Sequence, residues 1–138
     1  MSIFQKTIKL HPRPKGFHLI TREIEDALLS FPDINHGILN IFLKHTSASL
    51  SINENADPTV RADMEEYFSD MIDDKPYYMH TYEGEDDMPA HIKSSILGNS
   101  LNIPITNAEM NLGAWQGIYL GEHRDNAQSR KLVLTMQY

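Results

Sequence analysis

Three polar stretches in this chain carry side chains able to do chemistry. In the first, Lys44-His45-Thr46-Ser47-Ala48-Ser49 ends an apolar run, and Asn53-Glu54-Asn55-Ala56-Asp57 follows closely. An imidazole beside hydroxyls and amides supplies a proton donor or acceptor and ligand-binding groups. The same residues also suit a turn. Thr46 and Ser47 can satisfy backbone, Asn53 and Asn55 can form Asx-turns, and Asp57 before Pro58 is a helix N-cap.

The second stretch is Glu85-Asp86-Asp87-Met88-Pro89-Ala90-His91-Ile92-Lys93-Ser94-Ser95. On a helix, His91, Ser94 and Ser95 fall at i, i+3 and i+4 and share one face. A helix start with free N–H groups, hydroxyls and an imidazole suits a phosphate. The acids Glu85, Asp86 and Asp87 instead suit a cation such as Mg²⁺ accompanying that phosphate. The plainer reading is a solvated helix face. The third stretch, Asn111 to Arg124, holds the only Trp between two glycines, then Gln116, His123 and Arg124. Trp115 is expected to pack in a core. Gln116 can bind a ligand or brace a loop, and Arg124 is of the type that binds phosphate bidentately.

A metal can be built from these residues in two ways. His45, His91 and His123 would hold Zn²⁺ if the fold brought them together, with a bound water as attacking group. Glu85 and Asp86 would alternatively hold Mg²⁺. Sequence spacing shows neither, and no P-loop, GxGxxG, GxSxG or HExxH pattern occurs. His11, His18, His36 and His80 read as structural or surface residues.

These residues need elements to position them. Ile3 to Leu10 alternates as a strand, and His11-Pro12-Arg13-Pro14 breaks it. Phe17 to Ile20 is a short extension. Thr21 is an expected N-cap for a helix to about Phe31, with Ile24, Ala27, Leu28 and Phe31 on its buried stripe. Gly37 to His45 is nearly all apolar and reads as a central strand, and Ser47 to Asn53 alternates as another. Asp57-Pro58 starts a second helix, and Asp73 to Pro76 stops it. Tyr77 to Tyr82 reads as a strand. Asp86 or Asp87 caps a third helix, about Pro89 to Leu97, closed by Gly98. Ser100 to Ile105, Gly117 to Glu122 and Lys131 to Gln137 complete seven or eight strands. Three inserted helices without βαβ alternation predict an antiparallel, mostly β arrangement, either α+β or sandwich, and not a doubly wound sheet.

Composition sets outer bounds. The 138 residues are 41% apolar and 22% charged, the balance of one globular domain. Twelve Lys and Arg against nineteen Asp and Glu leave a net charge of −7, which argues against nucleic-acid binding. The absence of cysteine removes disulfide scaffolds, thiolate metal sites and cysteine nucleophiles. No run of about 18 apolar residues spans a membrane, and the N-terminus lacks the apolar core of a signal peptide. The expected location is the cytoplasm.

On these stretches the sequence resembles the YjbQ-like family, also described as secondary thiamine-phosphate synthase. The matching segments are GFHLIT at Gly16 to Thr21, HTSASLSINENADPTVRADME at His45 to Glu65, EGEDDMPAHIKSSILG at Glu83 to Gly98, and GAWQGIYLGEHRD at Gly113 to Asp125. SRKLVLTMQ near the C-terminus also fits, so the match is collinear over essentially the whole chain. One departure is Ala114, where the family usually carries Thr. The resemblance implies a single compact β-sandwich domain over residues 1–138, assembled as a homotrimer. It also implies a pocket at a subunit boundary, built from the His45, His91 and Trp115-Gln116 blocks. The implied activity is weak joining of a pyrimidine diphosphate to a thiazole phosphate, with release of pyrophosphate.

On that reading His45 and His91 are the catalytic candidates. Thr46, Ser47, Asn53, Asn55, Ser94, Ser95, Trp115, Gln116 and Arg124 are the ligand-binding ones, for a small phosphorylated metabolite. The alternatives are a metal-dependent hydrolase with a His-built site and a ligand-binding trimer without turnover.

Overall fold

Alternating apolar residues pair the strands into two antiparallel sheets, seen in a computed structural model that describes residues 1–138. The elements in chain order are β1 (Ile3–Lys9), β2 (Gly16–Leu19), α1 (Thr21–Leu28), β3 (His36–Leu43), β4 (Ala48–Glu54) and α2 (Pro58–Ile72). They continue with α3 (Asp87–Leu97), β5 (Ser100–Thr106), β6 (Glu109–Met110), β7 (Gln116–Glu122) and β8 (Lys131–Gln137). One sheet has the order β1-β8-β3-β5-β6 and the other β2-β7-β4. The mostly β, antiparallel architecture with three helices matches the expectation from sequence.

The core lies between the sheets. Leu39, Ile41 and Leu43 of β3, with Leu132, Leu134 and Met136 of β8, point inward from the larger sheet. Ala48 and Leu50 of β4, with Ile118 and Leu120 of β7, meet them from the smaller one. Ile20, Ile24 and Ala27 seal one side with α1. Full burial of each large aliphatic side chain stabilises the fold by about 1.5–3 kcal/mol. The smaller sheet is covered on its other face too: α2 packs on β2 and α3 on β4. Ser49 and Tyr119, odd members of the alternation, are therefore buried as fully as the core row.

Several local expectations give way to tertiary contacts. Tyr77 to Tyr82 is turn and irregular chain, because no strand edge lies beside it to pair with. The Tyr78 hydroxyl instead donates to the Ile72 carbonyl at 2.6 Å and holds this loop to the end of α2. Ile20, not Thr21, occupies the N-cap position of α1, and the Thr21 hydroxyl accepts from the Ile118 amide at 2.9 Å. That helix ends at Leu28, and α3 begins at Asp87, two residues earlier than expected. The short β6 carries no alternation of its own. It pairs with β5 through a tight turn at Asn107 and Ala108, both at positive φ (52° and 67°).

One charged pair sits at the end of this core. The inward row of β7 runs Ile118, Leu120, Glu122, and Glu122 is fully buried. Arg130, just before β8, donates to both Glu122 oxygens at 2.7 and 2.6 Å. Its Nη2 also reaches the Ser47 hydroxyl at 3.0 Å and the Ser47 carbonyl at 3.2 Å. Removing one partner of such a pair strands a buried charge. Arg130→Met is therefore expected to cost about 3–5 kcal/mol in urea unfolding, and the Arg130→Met/Glu122→Leu double variant to recover much of it. A single-variant loss below about 1 kcal/mol would show that the pair is solvated.

Candidate functional site

The chain crosses from the larger sheet to the smaller one between Leu43 and Ala48, and the site is built on that crossing. The ladder between β3 and β8 ends with the Lys44 amide donating to the Lys131 carbonyl. The Lys131 amide then donates to His45 Nε2 at 2.8 Å, so the imidazole ring takes the next rung. An amide must donate, so Nε2 is the acceptor and His45 carries its proton on Nδ1. Partial burial, then the nearby Arg130 charge, push the pKa of His45 below its ordinary value.

Helix α3 supplies the facing wall. Ala90, Lys93 and Ser94 are buried against the smaller sheet, which fixes the roll of the helix. His91 then meets the crossing, where its Nδ1 donates to the Thr46 carbonyl at 2.9 Å. The result is an open depression of about 260 Å³ lined by His45, Thr46, His91, Ser94, Ser95, Gly98 and Asn99. No hydrophobic residue lines it. A larger depression, about 490 Å³, lies between α1 and β6, but its polar groups are Thr21, Glu25 and Glu109. That set offers no imidazole or cation for an anion, so the histidine-lined opening is the candidate site.

The start of α3 is occupied by its own acids, so the depression opens on the second half of the helix and not on its free amides. Arg124 donates to Asp86 at 2.9 Å, to Asp87 at 2.6 Å and to the Glu83 carbonyl at 2.9 Å. Its guanidinium is thus turned away from the depression. Burial opposes ionisation of Asp86, but the Asp125 amide and Arg124 outweigh it and hold this carboxyl below the usual range. Glu85 lines a separate hollow with Lys75 and Tyr78. The Glu85–Asp86 cation pair expected from sequence is therefore not assembled.

His123 also lies elsewhere. It is buried on the helix-covered face of the smaller sheet, where Nε2 hydrogen-bonds the Ser49 hydroxyl at 2.8 Å. Its ring meets Phe17 edge-on. Gly121 makes the room, since a Cβ there would lie 2.8 Å from the His123 ring and collide with Ser49. His45, His91 and His123 accordingly form no common ligand set. The one group of metal-ligating side chains brought together is His80, Asp87 and His91. His80 reads from sequence as a surface residue; its only signal is a place seven residues before Asp87, in a loop without periodicity.

A charged layer lies under α3. Lys93, buried to 1% exposure, approaches Asp73 Oδ1 at 2.8 Å, and Lys15 meets Asp73 Oδ2 at 2.9 Å. Burial opposes ionisation of Asp73, but the two ammonium groups outweigh it and hold the carboxyl below its usual range.

Apart from Ser47, on the crossing itself, the remaining candidates sit at the opposite end of β4 and β7. Ala48 faces Glu122, whereas Glu54 faces Gln116. At about 3.3 Å per residue the two ends are about 20 Å apart. Trp115 is 68% exposed there and not in a core. Asn55 donates to the Ala114 and Gln116 carbonyls at 3.2 and 3.1 Å, and the Gln116 side chain accepts from the Gly113 amide at 2.7 Å. Both brace the loop that presents Trp115. Asn53 accepts from the Glu54 amide at 2.8 Å, Ser47 serves the Arg130 clamp, and Asp57 caps α2 through Thr59.

Burial first, then Lys93, Arg130 and Lys15, push the pKa of His123 down to about 3. The unfolded chain takes up this proton below about pH 6.5 and the folded chain refuses it. Folding stability should therefore fall as pH drops from about 6.5 towards 3, with a His123 slope of up to about 1.4 kcal/mol per pH unit. Urea unfolding across that range should show a shallower slope for His123→Leu. An identical slope would mean that His123 is not held neutral.

The comparisons agree with this fold. Residues 6–138 match the family described as UPF0047 protein YjbQ-like. The Salmonella typhimurium UPF0047 protein YjbQ is 54% identical over 134 residues, covering 97% of both chains. The Bacillus subtilis UPF0047 protein YugU is 38% identical, covering 85% of this chain and 86% of its own. A solved Clostridium acetobutylicum protein of the yjbq/upf0047 family superposes with TM-score 0.81 at 33% identity, covering 97% and 99% of the two chains. A YbjQ-like protein of unknown function from Sulfolobus solfataricus superposes with TM-score 0.86 at 20% identity, over 98% and 96%, which speaks for the fold alone. With the family match running over nearly its whole length, the chain belongs to the UPF0047, YjbQ-like family.

Proposed function

We propose that the protein is a small enzyme acting on a phosphorylated metabolite, whose phosphate enters the depression beside His45 and His91. The observation that carries this reading is the convergence of two oriented imidazoles with the hydroxyls of Thr46, Ser94 and Ser95 in one open hollow without a hydrophobic residue. His45 presents Nδ1–H as a donor, and the hydroxyls add neutral donors for phosphate oxygens. The chemistry the resemblance implies, thiamine-phosphate synthesis with departure of pyrophosphate, uses such donors on the leaving group. Arg124 has no part in it, because Asp86 and Asp87 hold its guanidinium.

The hollow is smaller than the roughly 300–1,000 Å³ of a typical small-molecule site. Trp115 lies about 20 Å from it within one chain, by the strand length above. The boundary pocket that the resemblance implies therefore needs the Trp115 of a second copy beside a His45, in keeping with the homotrimer that the same resemblance implies. The exposed Tyr77, Met79 and Tyr82 give that copy apolar surface to cover. Light scattering is expected to give three chains per particle.

Incubation with the pyrimidine diphosphate, the thiazole phosphate and a divalent cation should yield thiamine phosphate by mass spectrometry. His45→Ala or His91→Ala should lower the rate by about 100-fold or more. Ser94→Ala and Ser95→Ala should chiefly raise KM. Tight binding of the phosphorylated compounds without product would favour the non-catalytic trimer. Undiminished activity in both histidine variants would remove the chemistry from this hollow.

A further inference from the structure

We propose that His80, Asp87 and His91 hold a divalent transition-metal ion of the zinc class. Asp87 and His91 lie four residues apart on α3 and so face the same way, and the 73–86 loop returns His80 to them. His80 Nε2 is 2.8 Å from one Asp87 oxygen, and His91 Nε2 is 3.4 Å from the other. The three ligand atoms lie within 4.8 Å of one another. Tetrahedral Zn²⁺, with bonds of about 2.0–2.2 Å, places its ligand atoms about 3.3 Å apart.

A second observation separates this cluster from an ordinary surface ion pair. The Thr46 carbonyl accepts from His91 Nδ1, which turns the Nε2 lone pair of a neutral imidazole towards a buried carboxylate. That lone pair faces an Asp87 oxygen at 3.4 Å with no hydrogen bond between them, and a cation placed between them makes the contact attractive. The two imidazole centroids are 5.3 Å apart, close enough for both rings to reach one ion. Arg124, 2.6 Å from Asp87, would remain as an outer hydrogen-bond donor to the carboxylate.

An imidazole anchored through Nδ1 to a backbone carbonyl, with Nε2 aimed inward, is the usual outer-shell arrangement of a metal-bound histidine. Two imidazoles and one carboxylate select zinc-class ions over Mg²⁺ or Ca²⁺. His80 is about half exposed, so a fourth position is open to water or to an oxyanion from the adjoining hollow, which shares His91.

The test uses untagged protein stripped with chelator. Zn²⁺ alone is titrated by calorimetry, and Co²⁺ alone is followed by its visible ligand-field bands. The expected result is one ion per chain, with bands of a low-coordinate nitrogen and oxygen site. His80→Ala should weaken binding by about tenfold or more. Its side chain bonds only Asp87, and an unchanged chelated-state melting temperature confirms the fold. His36→Ala, a surface control, should leave binding unchanged. Absence of saturable one-to-one binding, or equal affinity in His80→Ala, would overturn the proposal. No organic ligand is involved, so this outcome is independent of whether thiamine phosphate is made.

Discussion

The Arg130–Glu122 pair joins the two sheets where the candidate site begins, and the geometry of that site follows from it. Glu122 closes the inward row of β7, and Arg130 leads into β8 of the other sheet. The same guanidinium holds Ser47 by its carbonyl and hydroxyl. Ser47 is the last residue of the crossing, Thr46 precedes it, and Lys131 follows Arg130. The carbonyl that orients His91 and the amide that orients His45 therefore both lie one residue from the clamp. A buried ion pair adds little net stability over an apolar equivalent. Here it fixes direction: an arginine fork with two carboxylate contacts allows one approach of the two sheets, where an apolar contact would allow several.

Helix α3 links this clamp to the charged interior. Its buried face carries Ala90, Lys93 and Ser94, and the adjoining face carries the buried Asp87 and the partly exposed His91. Lys93 is tolerated below the helix because Asp73 meets it and Lys15 shares the carboxylate. The same ammonium groups, added to burial, keep the His123 imidazole neutral. The chain is acidic overall, and its semi-buried cations near the site are each assigned an acid. Arg124 belongs to Asp86 and Asp87, Arg130 to Glu122, and Lys93 and Lys15 to Asp73. The hollow itself offers only neutral donors. Positive charge beside it comes from the exposed Lys44 and Lys131 that flank His45, and the proposed ion at His80, Asp87 and His91 would add more.

Much of the fold was legible because burial imposes a period. Ile3 to Leu10, Ser47 to Asn53 and Lys131 to Gln137 alternate because one side of each faces the core, and the Asp57-Pro58 start of α2 is a local hydrogen bond plus a fixed φ. Tyr77 to Tyr82 misled because strand-forming residue types say nothing about whether a sheet edge is available. Trp115 misled for a related reason: size and apolarity favour burial, but its loop stands beyond the end of β4 with nothing of the same chain above it. β6 was invisible because two residues carry no period.

Read alone, the sequence carries the antiparallel strands, the three helices and the shared face of His91, Ser94 and Ser95. Those follow from spacing along the chain, since side chains three or four apart on a helix must be neighbours whatever surrounds them; the joining of the His45 block to the His91 block was implied by the family resemblance. Only the tertiary structure decided which candidates meet. It brought His45 to His91 across the sheet crossing, sent His123 under the helices and spent Arg124 on Asp86 and Asp87. It also added His80, a loop residue whose position depends on where the loop returns. Those contacts join residues far apart along the chain, and their partners are chosen by how two sheets and three helices pack, which no local pattern encodes.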